Sequence, residues 1–201
     1  MDAAAYGDAR KVEELLSQGA RVDSRDFQGA TALMHAAYEG HTEVCKLLLE
    51  TGKANVKETT PDGGTPLLVA AQFGHTEVCE LLLENGSDLE ESEPITQYTA
   101  LHKAAIKGPE SLLQLLLSPK YKPNLNIRNR TESTPLHMAS QEGHLTSVKT
   151  LIQAGADPIL PDHRGVLPIH LAAQKNHVEV VSILLEQGGC SPDQVRHTAL
   201  Q

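Results

Sequence analysis

The chain has 201 residues, 40% hydrophobic and 21% charged, with a formal net charge of −9. No apolar run approaches the roughly 20 residues that a membrane-spanning helix needs, and Met1-Asp2-Ala3-Ala4 lacks the basic-then-apolar order of a signal peptide. The acidic balance would repel phosphates, so the reading is a soluble cytoplasmic or nuclear chain with no nucleic-acid partner and no membrane insertion.

In chain order, the first unit (residues 1–30) is partial. Ala3-Ala4-Ala5-Tyr6-Gly7-Asp8 starts inside a helix, and Val12, Leu15, Leu16 and Gly19 complete a second one. Its outer side is polar (Asp8, Arg10, Glu13, Glu14), as the end of a stack requires. One phrase then recurs five times, at Thr31-Ala32-Leu33, Thr65-Pro66-Leu67, Thr99-Ala100-Leu101, Thr134-Pro135-Leu136 and Leu167-Pro168-Ile169, in steps of 34, 34, 35 and 33 residues. Each phrase runs into a small pair such as Ala36-Ala37 and then Gly-His or a variant. A fixed period of this size predicts a stack of helix-turn-helix units. The expected boundaries are 31–64, 65–98, 99–133, 134–166 and 167–197, within a single array spanning 1–201. Thr198-Ala199-Leu200-Gln201 reads as the start of a truncated further repeat, so more sequence is expected downstream.

The repeat from Thr65 shows the physics. Thr65 is placed to cap a helix whose first turn holds Pro66. Ala70 and Ala71 let neighbouring helices approach closely, and Gly74 ends the helix in a left-handed backbone. Val78, Leu81 and Leu82 then recur at helical spacing with Glu77, Glu80 and Glu84 outward, until Gly86 stops the second helix. A polar Asp- and Gly-containing turn leads to the next threonine. Cys45 and Cys79, 34 residues apart, occupy equivalent positions on stacked helices about 8–10 Å apart, too far for a disulfide. They read as small core residues in a reducing compartment.

These residues resemble the ankyrin repeat: the Thr-Pro-Leu-His start, the Ala-Ala pair, Gly-His, the paired leucines and the Gly155-Ala156-Asp157 end. The resemblance covers nearly the whole chain. It implies an all-α solenoid of helix pairs with projecting β-hairpin-like fingers, in which first helices and fingers form a concave face. It also implies structural inter-repeat hydrogen bonds for His41, His75, His102, His137, His144, His170 and His177. Asn126 matches a finger asparagine that is hydroxylated in some members of that family. Repeat four departs from the pattern: Pro109 stands where the histidine would be, and residues 118–123 are inserted. Gln97 and Glu132 replace finger glycines, so those two fingers are expected to be irregular.

No phosphate loop, dinucleotide fingerprint, nucleophile elbow or zinc-protease motif is present, and His35, His163 and His197 lack metal-ligand spacing. A non-catalytic, cofactor-free and metal-free role is the expectation. The contact positions implied by the resemblance are the fingertips, the residue before the threonine and the two residues between Ala-Ala and Gly. The candidate partner-binding residues are Tyr6, Phe27, Tyr38, Glu39, Asp62, Gln72, Phe73, Tyr98, Ile106, Lys107, Arg130, Gln141, Glu142, Arg164, Gln174 and Lys175. Five of the six aromatics (Tyr6, Phe27, Tyr38, Phe73, Tyr98) fall on this face; only Tyr121 does not. Aromatics are enriched in binding hot spots, although packing between first helices and fingers is the alternative. Residues 1–100 carry 18 acidic and 7 basic side chains, and residues 101–201 carry 8 and 10. The face changes sign likewise, from Glu39 and Asp62 to Lys107, Arg130, Arg164 and Lys175, opposed by Glu142. The leading reading is a monomeric adaptor or scaffold that binds a protein or peptide on its concave face. The alternatives are the recognition domain of a larger protein (a ubiquitin-ligase adaptor, a channel's cytoplasmic domain or an enzyme-targeting region) and an inhibitor that masks a kinase or transcription factor.

Overall fold

The repeats that begin at Thr31 and Thr65 open on a threonine in extended conformation whose hydroxyl caps the helix that follows. Thr31 Oγ1 accepts the Met34 N–H at 3.4 Å and Thr65 Oγ1 the Leu68 N–H at 3.3 Å. The computed structural model describes residues 1–107 and 109–189. Among them are twelve helices and no strand: α1 Asp2–Ala5, α2 Ala9–Ser17, α3 Ala32–Glu39, α4 Thr42–Glu50, α5 Pro66–Phe73, α6 Thr76–Glu84, α7 Ala100–Lys107, α8 Glu110–Leu116, α9 Pro135–Glu142, α10 Leu145–Ala154, α11 Pro168–Gln174 and α12 Val178–Glu186. The expected tetrapeptide start of a further repeat, and His197, lie outside the described residues.

The chain packs as two units, Met1–Ile95 and Thr96–Gln201. In the first, α1, α3 and α5 lie side by side in one layer, and α2, α4 and α6 in a second. In the other, α7, α9 and α11 form one layer, and α8, α10 and α12 the next. The two layers meet across apolar side chains. Leu33, Leu67, Leu68, Leu82, Leu101, Leu112, Leu113, Leu116, Leu136 and Leu151 are all fully buried, and each such burial contributes about 1.5–3 kcal/mol. Ala36, Ala37, Ala70, Ala71, Ala104 and Ala105 are buried completely, so the first helices pack closely. Cys45 and Cys79 are buried free thiols, and burial pushes both pKa values up to about 12, which keeps them protonated and inert.

Histidines join the repeats. His41 Nε2 donates to Ala5 O at 3.0 Å, and His75 to Tyr38 O at 2.9 Å. In the second unit His144 donates to Ile106 O at 2.7 Å, and His177 to Gln141 O at 3.0 Å. Each reaches back one repeat, to the end of the preceding first helix. The His41, His75 and His177 rings lie over Gly7, Gly40 and Gly143, the glycines that follow those helices. Gly40 has φ +78°, and a Cβ there would stand 2.4 Å from His75 Nδ1. Gly143 is alike, with φ +76° and His177 at 2.5 Å. In the first unit Asp8 takes the histidine's place. It caps its own helix by accepting the Lys11 N–H at 3.0 Å.

A second set of histidines points forward. His102 Nδ1 accepts the Thr99 N–H at 3.3 Å, which leaves Nε2–H to donate to Ser133 O at 3.0 Å. His137 repeats this with the Thr134 N–H at 3.1 Å and Val166 O at 3.1 Å. His170 Nδ1 accepts the Leu167 N–H at 3.0 Å. Burial holds the His102 pKa down at about 4 and lowers that of His137.

Replacement of Gly40 by Ala forces a left-handed Cβ residue against His75 and should lower stability in urea melts by at least about 1–2 kcal/mol. For His102, the folded pKa of about 4 lies below the ordinary 6.5, so the unfolded chain gains its proton first. Its contribution is whole above pH 6.5 and falls away as pH drops toward 4, by on the order of 3 kcal/mol over that window. Urea melts between pH 7.5 and 4.5 should show this loss, and His102→Gln should flatten the slope.

Candidate functional site

The candidate residues lie on the fingers and at the ends of the first helices. Each finger is a tight turn. In the first, the Asp26 carboxylate accepts the Gln28 and Ala30 N–H groups, both at 2.9 Å, while Asp26 N–H bonds Ala30 O. A hydrogen bond from His35, 2.8 Å away, holds the Asp26 carboxyl below its ordinary pKa. Asn129 Oδ1 does the same for Thr131 and Ser133, and Asp162 Oδ1 for Arg164 and Val166. Burial opposes the charge of Asp162, but the Val166 and Arg164 N–H donors outweigh it and hold that carboxyl low as well.

Glu132 adopts φ +57° and Gln97 +56°, the left-handed backbone that Gly29, Gly63 and Gly165 use at the same step. The finger of residues 129–133 closes by the same bonds as its glycine-bearing counterparts, Asn129 N–H to Ser133 O and Glu132 N–H to Asn129 O. This corrects the expectation of an irregular finger there. The Asx turn and the closing bonds hold the backbone in a conformation that glutamate adopts at a cost. Pro94 begins the corresponding turn before Thr99 and has no N–H to close it.

Adjacent fingers are tied to one another. Arg25 crosses from the first finger to Thr59 O and the Glu58 carboxylate of the next. In the second unit Arg128 bonds Pro161 O at 3.2 Å, Arg130 N–H bonds Thr96 O at 3.0 Å and His163 N–H bonds Thr131 O at 3.1 Å. The Pro61 ring fills the space over Gly29, and Pro94 fills that over Gly63. The fingertip backbone is therefore fixed before any partner arrives.

On this frame the aromatics separate into two groups. Phe27 is 96% exposed at a fingertip and Tyr6 is 85% exposed at the end of α1. Tyr38 (48%) and Phe73 (39%), at the ends of α3 and α5, pack ring against ring with centroids 4.3 Å apart and planes at 53°. Tyr98 differs. It is half-buried and stacks on His102 at 5.6 Å, so packing is its visible role. Glu39, Asp62, Gln72, Lys107, Arg130, Glu142, Arg164, Gln174 and Lys175 are exposed, while Ile106 and Gln141 are half-buried. Tyr6, Tyr38, Glu39, Gln72 and Phe73 share one row of helix ends in the first unit. Ile106, Lys107, Gln141, Glu142, Gln174 and Lys175 share the equivalent row in the second.

The turn-forming Asp26, Asn129 and Asp162 and the cross-finger Arg25 and Arg128 were missed in the sequence. The available signal was an Asp, Asn or Thr five residues before four of the five start phrases, at 26, 60, 129 and 162. Asn126 lies in the second unit, and its side-chain oxygen accepts the Asp157 N–H at 2.9 Å. No group of three or more His, Cys, Asp or Glu among the described residues could hold a metal ion.

Family models for ankyrin repeats match residues 1–93, 89–162 and 164–197. Over 138 residues, 68% of this chain and 5% of the relative, the chain is 34% identical to the ankyrin repeat and KH domain-containing protein mask-1 of Caenorhabditis elegans. Over 157 residues, 78% of this chain and 30% of the relative, it is 31% identical to the probable E3 ubiquitin-protein ligase XBOS32 of Oryza sativa subsp. japonica. The chain thus spans less than a third of the length of either. The crystal structure of the human ASB11 ankyrin repeat domain superposes with a TM-score of 0.84 at 29% identity, covering 93% of this chain and 82% of that one.

Packing and contact roles predict different mutational costs. Phe27→Ala should leave stability within about 0.5 kcal/mol of the parent, whereas Tyr98→Ala should cost more than about 1 kcal/mol through the lost stack on His102. Chemical denaturation of the two variants decides it.

Proposed function

This chain belongs to the ankyrin repeat family, a family of protein–protein interaction modules, and we propose that it acts as a non-catalytic adaptor that grips a partner protein on the concave face made by first helices and fingers. The observation that carries this reading is the exposed Tyr38–Phe73 ring pair at adjacent helix ends. An exposed aromatic pair contributes little to a repeat's own core, and aromatic anchors are what interfaces spend binding energy on. The supporting frame is rigid: turns closed by Asp26, Asn129 and Asp162, and helix ends pinned by histidines. A preformed surface loses little freedom on binding. The remaining candidate residues, from Glu39 and Asp62 to Arg130, Arg164 and Lys175, serve in this reading as a charged rim that selects partner and register.

A second reading is favoured by the rice relative named as an E3 ubiquitin-protein ligase: the chain would be the recognition part of a larger protein that presents a captured partner for modification. Both readings place binding on the same face and differ in what is attached to it.

Affinity capture with the chain and with a Tyr38→Ala/Phe73→Ala variant of matched circular dichroism tests the proposal. Partners held by the parent should be lost or weakened at least about tenfold by the variant. Identical partner sets would place binding elsewhere. Capture of ubiquitin-conjugation components that survives in the variant would favour the second reading.

A further inference from the structure

Exposed apolar surface is shared unequally between the two units. Seven large hydrophobic side chains stand exposed among the described residues, and five of them (Tyr6, Phe27, Tyr38, Phe73 and Ile95) belong to Met1–Ile95. A groove of about 360 Å³ lies within that unit, between fingers and first helix. One wall is made by Gln28, Asp62 and Glu93 from three successive fingers, the other by Val69 and Gln72 of α5. Phe27 is the neighbour of Gln28 on the finger side. Phe73 follows Gln72 on the helix side, with the Tyr38 ring against it.

The charge on this groove is of one sign. Its lining includes two carboxylates and no lysine or arginine. The Thr60 hydroxyl donates to the Asp62 carboxylate and fixes its direction. The unit around it carries 18 acidic and 7 basic side chains. An apolar groove alone would accept any hydrophobic segment. This one adds a penalty for an anionic segment and a reward for a cationic one.

Building on the interaction-module reading, we propose that the groove takes an extended partner segment in which a lysine or arginine stands beside an aromatic or large aliphatic residue. The cation lies between Asp62 and Glu93. The apolar side chain rests on the Tyr38–Phe73 rings, and the flanking chain runs past Phe27. The net negative field of the unit draws such a segment in, so its association rate falls as salt is added. The second unit presents Arg130 and Arg164 at the corresponding fingertips and is not a competing site for the same sequence.

The test is panning of a random peptide display library on the full chain, followed by fluorescence anisotropy of the enriched peptide after labelling. The expected sequences pair Lys or Arg with a neighbouring aromatic or aliphatic residue. Their affinity should fall at least about tenfold in Asp62→Asn/Glu93→Gln and likewise in Tyr38→Ala/Phe73→Ala, with no change in Glu179→Gln on α12. The groove variants alter exposed or half-buried side chains, and a thermal melt matching the parent qualifies each. Enrichment of acidic or uncharged peptides overturns the proposal, as does a basic peptide indifferent to Asp62→Asn/Glu93→Gln. Peptides that instead lose affinity in Arg130→Glu/Arg164→Glu keep the interaction module and reject this groove. No enrichment above an unrelated helical protein rejects both.

Discussion

A histidine reaching back over a glycine is the contact on which the rest of each unit depends. The glycine must be left-handed to end its helix, and it must lack a Cβ for the next repeat's imidazole to lie across it. The imidazole Nε2–H then satisfies a carbonyl at the end of that helix, one of the acceptors every helix C-terminus leaves open. One contact therefore sets the spacing between repeats and ends the first helix. It also directs the residues just before the glycine, Tyr38 and Glu39 or Gln72 and Phe73, out to solvent. The surface proposed to bind is a by-product of the contact that holds the stack together.

The fingers obey a parallel constraint. A carboxylate or amide oxygen gathers the turn's N–H groups, and His102 and His137 fasten the finger's last carbonyl from the helix. Because the buried imidazole must stay neutral to accept at Nδ1 and donate at Nε2, the stack is tied to pH from the acidic side. Arg25 and Arg128 then join finger to finger. A surface assembled this way presents its side chains with little left to order, which suits recognition better than chemistry.

The fold was legible in the sequence because its signals recur. Thr65-Pro66 announces a helix start, Gly74 its end, and the 34-residue step announces stacking, so local and global cues agree. Two things escaped. Glu132 does not distort its finger, because the Asn129 turn and its closing bonds hold a left-handed backbone on a residue that does not prefer it. The finger acceptors Asp26, Asn129 and Asp162 look like ordinary surface polar residues until the turn folds around them. The site was legible only as positions. Sequence placed five aromatics on one face, and only the structure separates Tyr98, stacked on His102, from Tyr38 and Phe73, packed at a tilt against each other in the open. Exposure is a property of neighbours distant in sequence, which a single repeat does not encode.

The most direct test of the central claim, that the first-helix and finger face of the first unit is the working surface, is hydrogen–deuterium exchange of the chain free and with its captured partner bound. Protection concentrated in the fingers around residues 26–30 and 60–64 and at the ends of α3 and α5 is the predicted result. Protection confined to α2, α4 and α6, or to residues 118–123, would contradict it.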